Sequence, residues 1–113
     1  VLPAAARLRR REEFAEVVRR GRRTARGPLV LHALSVAAAA DSPRVGFVIG
    51  KVVGPAVVRN RLRRRLRHLL RARLYSLPAG LRLVVRARPG AGALSSAELA
   101  RLLDSGLPAV VTP

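Results

Sequence analysis

Cysteine is absent, so the chain can build neither a disulfide framework nor a thiolate metal site. Lysine is nearly absent, with Lys51 the only one among 23 basic residues. Acids are scarce, six against those 23 bases, and the aromatic residues are only Phe14, Phe47 and Tyr75. No apolar run approaches the ~20 residues of a membrane span. The opening VLPAAARLRRREEF sets apolar residues before basic ones, the reverse of a secretory signal. The expectation is a soluble cytoplasmic protein with no membrane partner.

What remains is a chain of 113 residues, half of them hydrophobic. That is enough for one domain, 1–113, around one core. Its formal net charge is +17. A GC-rich genome accounts for arginine over lysine, but not for base over acid. So much positive charge repels itself in a compact domain. A polyanion resolves the repulsion, and nucleic acid is the commonest one. An anionic membrane surface is the rival; it wants a helix with no core of its own, whereas this chain has the pattern of a folded sandwich.

Along the chain, Arg9 to Arg20 reads as a short helix with Phe14, Val17 and Val18 on one side and Gly21 as its stop. Pro28 to Val36 and Arg44 to Gly50 read as strands that pair in a hairpin around a loop over Ala37 to Pro43. A further short strand near Arg22 to Arg26 is possible. Gly54-Pro55 opens a long helix in which Val58, Leu62, Leu66, Leu69, Leu70 and Leu77 cluster on one side. Pro78-Ala79-Gly80 ends it, and Leu81 to Ala87 alternates as a third long strand. The last helix starts at a capping box of Ser95 and Glu98, with Leu94 and Leu99 spaced as a staple, and closes at Gly106 and Pro108. The pattern is a small α+β sandwich with helices covering a sheet.

Within the long helix, Asn60, Arg64, Arg67 and Arg71 form a stripe opposite the leucines. A charged helix face is ordinarily balanced by acids four residues away. Here no acid occurs between Asp41 and Glu98. Guanidinium groups match phosphate oxygens in pairs and stack on unpaired bases. Asn60 can bond a base edge or a 2′-hydroxyl.

The stretch KVVGPAVVRNRLRRRLR resembles the signature of the bacterial ribonuclease P protein subunit. Lys51, Gly54, Ala56, Val57, Arg59, Asn60, Arg61, Arg63, Arg64 and Arg67 match it position by position. RLRRREEFAEVVRRG is similar to the family's first helix, with PRVGFVIGK and LVVRARPGA similar to the strands flanking the signature. The resemblance implies a ribosomal protein S5 domain 2-like fold, α-β-β-β-α-β-α, with a left-handed β-α-β crossover against the usual rule. It implies the small subunit of an enzyme that removes the 5′ leader of precursor tRNA. The RNA subunit would hold the active site and its magnesium, and no further protein partner is required. Lys51, Arg59, Asn60, Arg61, Arg63, Arg64, Arg67 and Arg71 would face the catalytic RNA. A cleft between the first helix and the sheet, with Phe14, Val18, His32, Arg86 and Arg88, would receive the leader. Val18 and His32 stand where the family often has aromatics, and Val52 where it often has a second basic residue.

No catalytic or metal site is expected in the chain itself. Glu12 and Glu16 share a helix face, but such residues ordinarily pair with neighbouring arginines. His32 and His68 have no carboxylate motif beside them. A small basic ribosomal or other structural-RNA-binding protein is the alternative that composition leaves open.

Overall fold

The computed structural model describes residues 2–36 and 41–111. Residues 37–40 of the expected 37–43 loop lie outside the described residues. The order is α1 (Arg11–Arg20), β1 (Arg22–Arg26), β2 (Leu29–Ser35), β3 (Arg44–Val48), α2 (Ala56–Arg73), β4 (Leu81–Ala87) and α3 (Ser96–Val111). This is the α-β-β-β-α-β-α order that the resemblance implied. The possible strand at Arg22 to Arg26 is real.

The strands lie in the order β1-β2-β4-β3. The expected hairpin of β2 with β3 does not form. β4 lies between them, antiparallel to β2 and parallel to β3. The reason is its sequence. Leu81, Leu83, Val85 and Ala87 are buried on one face and Val84 on the other, and a strand apolar on both faces belongs in the middle of a sheet. The parallel pair needs a long connection, which α2 supplies. The hairpin that does form is β1 with β2, where Arg26 pairs with Leu29 across Gly27-Pro28. Gly27 has φ of 55°, the sign that tight hairpin turns demand at this position.

Two apolar clusters of unequal size sit on the two faces. The larger packs Leu62, Leu66 and Leu70 of α2 and Leu99, Leu103 and Leu107 of α3 against the odd-numbered residues of β2 and β4. The smaller holds only Leu8, Val17 and Val84, with Phe14 and Leu34 at its margin, and it seats α1. α1 carries Glu12 and Glu13 in its first turn and Arg19 and Arg20 in its last, which suits the helix dipole.

α3 starts at the expected capping box. The Ser95 amide donates to Glu98 Oε1 at 3.0 Å, and the Glu98 amide to Ser95 Oγ at 3.1 Å. It does not stop at Gly106 and Pro108 but continues to Val111. Leu107 and Val110 are buried in the main core, and that packing carries the helix past the proline's missing donor. Gly106 is a contact residue here, not a stop. A Cβ at this position would lie 2.7 Å from Leu31 Cδ1.

β3 is an edge strand, and the segment before α1 covers it. The Leu8 amide donates to the Val45 carbonyl at 3.0 Å, so part of the edge is paired. Gly46 faces α1, and a Cβ there would collide with the Phe14 ring. Gly46→Ala is therefore expected to push Phe14 off the sheet and cost about 1–3 kcal/mol. Gly50, with open space around it and an ordinary φ of −82°, supplies the control. Urea midpoints should drop for Gly46→Ala and not for Gly50→Ala; equal midpoints would mean that the ring does not rest on Gly46.

Candidate nucleic-acid interface

The arginines of α2 divide into two groups. Some are spent on the fold. Arg59 donates to the Gly54 carbonyl at 3.0 Å and Arg65 to the Leu94 carbonyl at 2.9 Å. Arg61 reaches the Gly92 carbonyl only at 3.5 Å. Arg73 forks onto Asp104 of α3, at 2.7 and 3.0 Å, and each partner reinforces the charge of the other: the Asp104 carboxyl is held low and the Arg73 guanidinium is held high.

Others are left over. Asn60, Arg64 and Arg71 are exposed and Arg67 is half-buried, opposite the buried Leu62, Leu66 and Leu70, as the helical stripe requires. Arg64, Arg67 and Arg71 have no ion-pair partner among the described residues. Lys51 is exposed in a short turn before α2, followed by Val52 and, in the helix's first turn, Val57, both largely exposed.

The acids are placed elsewhere. Asp41 accepts two hydrogen bonds from Arg82, both at 3.1 Å, and pairs with Arg44 at 3.0 Å. The Arg82 bond is the main cause that holds its carboxyl below the usual range. Glu13 lies 3.9 Å from Arg44 and Glu16 lies 3.6 Å from Arg20. Glu98 is held low by its bonds to Ser95. The negative charge therefore gathers around α1 and the Asp41 end of the sheet, and on α3. The exposed stripe of α2 stays uncompensated, which leaves it open to an anionic partner.

The cleft residues are not equivalent. Phe14 is half-buried over Gly46, Val18 is exposed on α1, and Arg88 is exposed just past β4. Arg86 is half-buried on the α1 side of the sheet, and its Nε has no partner. His32 is 1% exposed, so it lies beneath the cleft and not on its surface. It is not a satisfied core histidine either, since neither ring nitrogen has a hydrogen-bond partner. Burial, then Arg86 and Arg23 beside it, lower its pKa from 6.5.

That shift gives a pH dependence with a definite sign. Above 6.5 His32 is neutral in both folded and unfolded chains, and nothing is lost. Below it the unfolded chain takes up a proton that the folded chain refuses, so stability falls with pH. The loss runs downward from 6.5 to the lowered folded value. The depressed carboxylates Asp41, Glu98 and Asp104 act only further down, in the carboxylate range. Urea unfolding between about pH 7.5 and 5 should show this decline, and His32→Leu should flatten it. A variant that keeps the full slope would assign the decline to other groups.

Two residues gain a place that the sequence did not give them. Arg7 and Phe47 line a cavity of about 110 Å³ together with Phe14, Gly46, Arg63 and Arg67. Phe14 and Arg67, which the resemblance assigns to two different RNAs, thus share one cavity. No periodicity reveals this. It depends on the pairing of Leu8 with Val45, which brings the pre-helix segment to the sheet edge.

The Ribonuclease P family matches residues 2–110. The ribonuclease P protein component of Streptomyces griseus subsp. griseus is 53% identical over 95% of this chain and 93% of its own length. That of Thermobifida fusca is 50% identical over 95% of this chain and 77% of its own. In fold, the RNase P protein of Staphylococcus aureus matches with a TM-score of 0.83 at 23% identity, covering 96% of this chain and 99% of that one. The Thermotoga maritima RNase P protein matches with a TM-score of 0.78 at 23% identity, over 92% and 96%. Since the sequence match takes in α1, the arginine helix and all four strands, the chain belongs to the ribonuclease P protein family.

Proposed function

We propose that this chain, a protein subunit of ribonuclease P, grips the enzyme's catalytic RNA with α2 and the 5′ leader of precursor tRNA with the α1 face of the sheet. The observation that carries the reading is the uncompensated stripe of Asn60, Arg64, Arg67 and Arg71, on a helix whose other side is anchored by buried leucines. A fixed row of planar donors suits a folded RNA backbone. Leader binding falls to Phe14, Val18, Arg86 and Arg88 around the seat of α1, with His32 below as support.

Cutting falls to the RNA subunit. Magnesium supplies charge neutralisation and an activated water in phosphodiester hydrolysis. Among the described residues no three metal-ligating side chains come together, and the catalytic RNA would hold the magnesium. The protein's part is to bind, to align the leader, and to relieve RNA self-repulsion with its charge of +17. It works in the cytoplasm and needs no other protein.

Co-purification with bound RNA, followed by sequencing of that RNA, tests the assignment. Recovery of the catalytic RNA of ribonuclease P is the expected result. Recovery of ribosomal RNA alone would replace this reading with the structural-RNA-binding one.

A further inference from the structure

We propose that the apolar groove between the segment before α1, Pro43 and the C-terminal end of α2 is a stacking platform for one unpaired base of the catalytic RNA, with the Tyr75 ring as its wall. The proposal rests on the RNA-binding reading above and deepens it by naming what an uncharged place beside the arginine row would hold.

Pro3, Ala5, Ala6, Pro43, Leu74 and Tyr75 line the groove, and its only side-chain polar groups are the hydroxyls of Ser42 and Tyr75. Its volume of about 330 Å³ falls at the lower end of the range for sites that hold a small molecule. Tyr75 is 91% exposed, more than any other large apolar residue among the described residues. A lone exposed apolar side chain is ordinary. This one closes an apolar groove on a fixed backbone.

The mount beneath the ring is pinned on both sides. After Arg73 the chain tightens into a 3-10 turn, Leu74–Ser76. The Ser76 hydroxyl donates to the Arg73 carbonyl at 2.7 Å and the Leu77 amide to the Leu74 carbonyl at 3.0 Å. Leu77 is buried and Leu74 packs against the main core. Across the groove, Leu2 and Ala6 are buried, and the Ala6 amide donates to the Pro3 carbonyl at 2.9 Å. Binding therefore orders little beyond the ring itself, and preorganisation of this kind favours affinity.

The surroundings select the occupant. Tyr75 follows Arg71 by four residues, so it continues the row of Asn60, Arg64, Arg67 and Arg71 past the end of α2. Ala5, on the other wall, also borders a depression lined by Arg7, Arg9, Arg10 and Arg44. Glu13 is the one acid there, and it already leans toward Arg44. Arg9, Arg10 and Arg71 are exposed. An apolar slot with cations on two sides suits a ligand that is apolar in the middle and anionic at both ends. A nucleotide within a strand has that form, a base between two phosphates. A second copy of this chain would bring another charge of +17 against the first. Stacking on the ring makes no demand on base identity. The large RNA is the source because Tyr75 lies on the α2 row, away from the α1 face assigned to the leader.

Tyr75 is the only tyrosine and the chain has no tryptophan, so intrinsic emission reports this ring alone. The full chain is titrated with the catalytic RNA of ribonuclease P and, separately, with inorganic polyphosphate, which carries charge and no bases. Saturable quenching by the RNA and none by polyphosphate is expected. Tyr75→Ala should weaken RNA binding about tenfold, the loss of one stacked base. The slope of log affinity against log salt should stay unchanged, because no phosphate contact is removed. Tyr75→Phe should bind as the parent chain does, and Tyr75→Leu, apolar but without a π-face, should lose as much as Tyr75→Ala. All three should keep the parent urea midpoint, since the ring is exposed. Full affinity in Tyr75→Ala, beside a weakened Arg64→Ala, Arg67→Ala double variant, would overturn the platform and leave the α2 row in place. An equal loss toward polyphosphate, or a flatter salt slope, would replace the platform with a charge effect. A loss confined to precursor tRNA would give the groove to the substrate, and self-association of the parent chain that Tyr75→Ala abolishes would give it to a second copy; either result rejects the proposal. A parent chain that does not bind the catalytic RNA would bring down the subunit reading and the platform with it.

Discussion

Precursor tRNA incubated with the purified chain and magnesium is expected to stay intact, and to be cut once at the leader junction when the catalytic RNA is added. Hydrolysis of a phosphodiester needs a placed base, a nucleophile and usually a metal. The acids of this chain are committed to other work. Asp41 holds Arg82 and Arg44, Asp104 holds Arg73, Glu16 pairs with Arg20, and Glu98 caps α3. Glu13 bonds the Arg10 amide at 3.3 Å and leans toward Arg44. Glu12 is exposed on α1. His32 is sealed beneath α1 and His68 stands exposed on the opposite element, α2. The protein should also lower the magnesium needed for the cut, because its positive charge takes over part of the neutralisation. Glu12→Gln and Glu16→Gln should leave the reconstituted cut unchanged. Cleavage by RNA-free protein that disappears in those two variants would place a hydrolytic centre on α1 and reverse the assignment.

Affinity for the catalytic RNA should collapse with salt. If the α2 stripe and its neighbours meet 6–10 phosphates, raising salt from about 50 to 200 mM weakens binding by roughly 10³-fold or more through counterion release. Each phosphate-contacting arginine removed should reduce the slope of log affinity against log salt by about 1. The Arg64→Ala, Arg67→Ala double variant should therefore bind more weakly and less steeply. Its circular dichroism should remain native, because neither side chain lies in the apolar core. A flat salt dependence would assign the affinity to stacking, for which Phe14, Phe47 and Tyr75 are a small supply. Unchanged affinity in the folded double variant would move the RNA contact to another face.

The elements of this fold were legible in the sequence wherever local signals act alone. β4 was placed at its observed limits by alternation, and the start of α3 by its capping box. The α2 stripe followed from helical spacing. Pairing was less legible. Nothing local says that β4 enters between β2 and β3, because that choice is made by burial on both faces of the finished sheet. The end of α3 escapes a local reading for the same kind of reason: Pro108 and Gly106 signal a stop locally, while the close packing of Gly106 on Leu31 and the burial of Val110 decide otherwise. In the candidate interface, the outward arginines could be read from spacing. Arg7 and Phe47 could not be read as partners of Phe14 and Arg67, since their meeting depends on a single pairing at the sheet edge. His32 has a cleft role only by resemblance, and its burial beneath the cleft surface, with neither ring nitrogen bonded, is set by tertiary packing that no local signal carries.

The unequal apolar clusters divide the molecule into two units of different endurance. A helix of 10 residues such as α1 does not persist alone in water. It stays folded only while Val17 remains docked with Leu8 and Val84, and Phe14 against their margin. α2, α3 and the sheet share the larger cluster and hold without it. Local opening therefore begins at α1, at a free energy well below that of global unfolding. Under the proposed reading, a segment that opens locally beside a firmly mounted arginine helix would let the leader be exchanged while the catalytic RNA is kept.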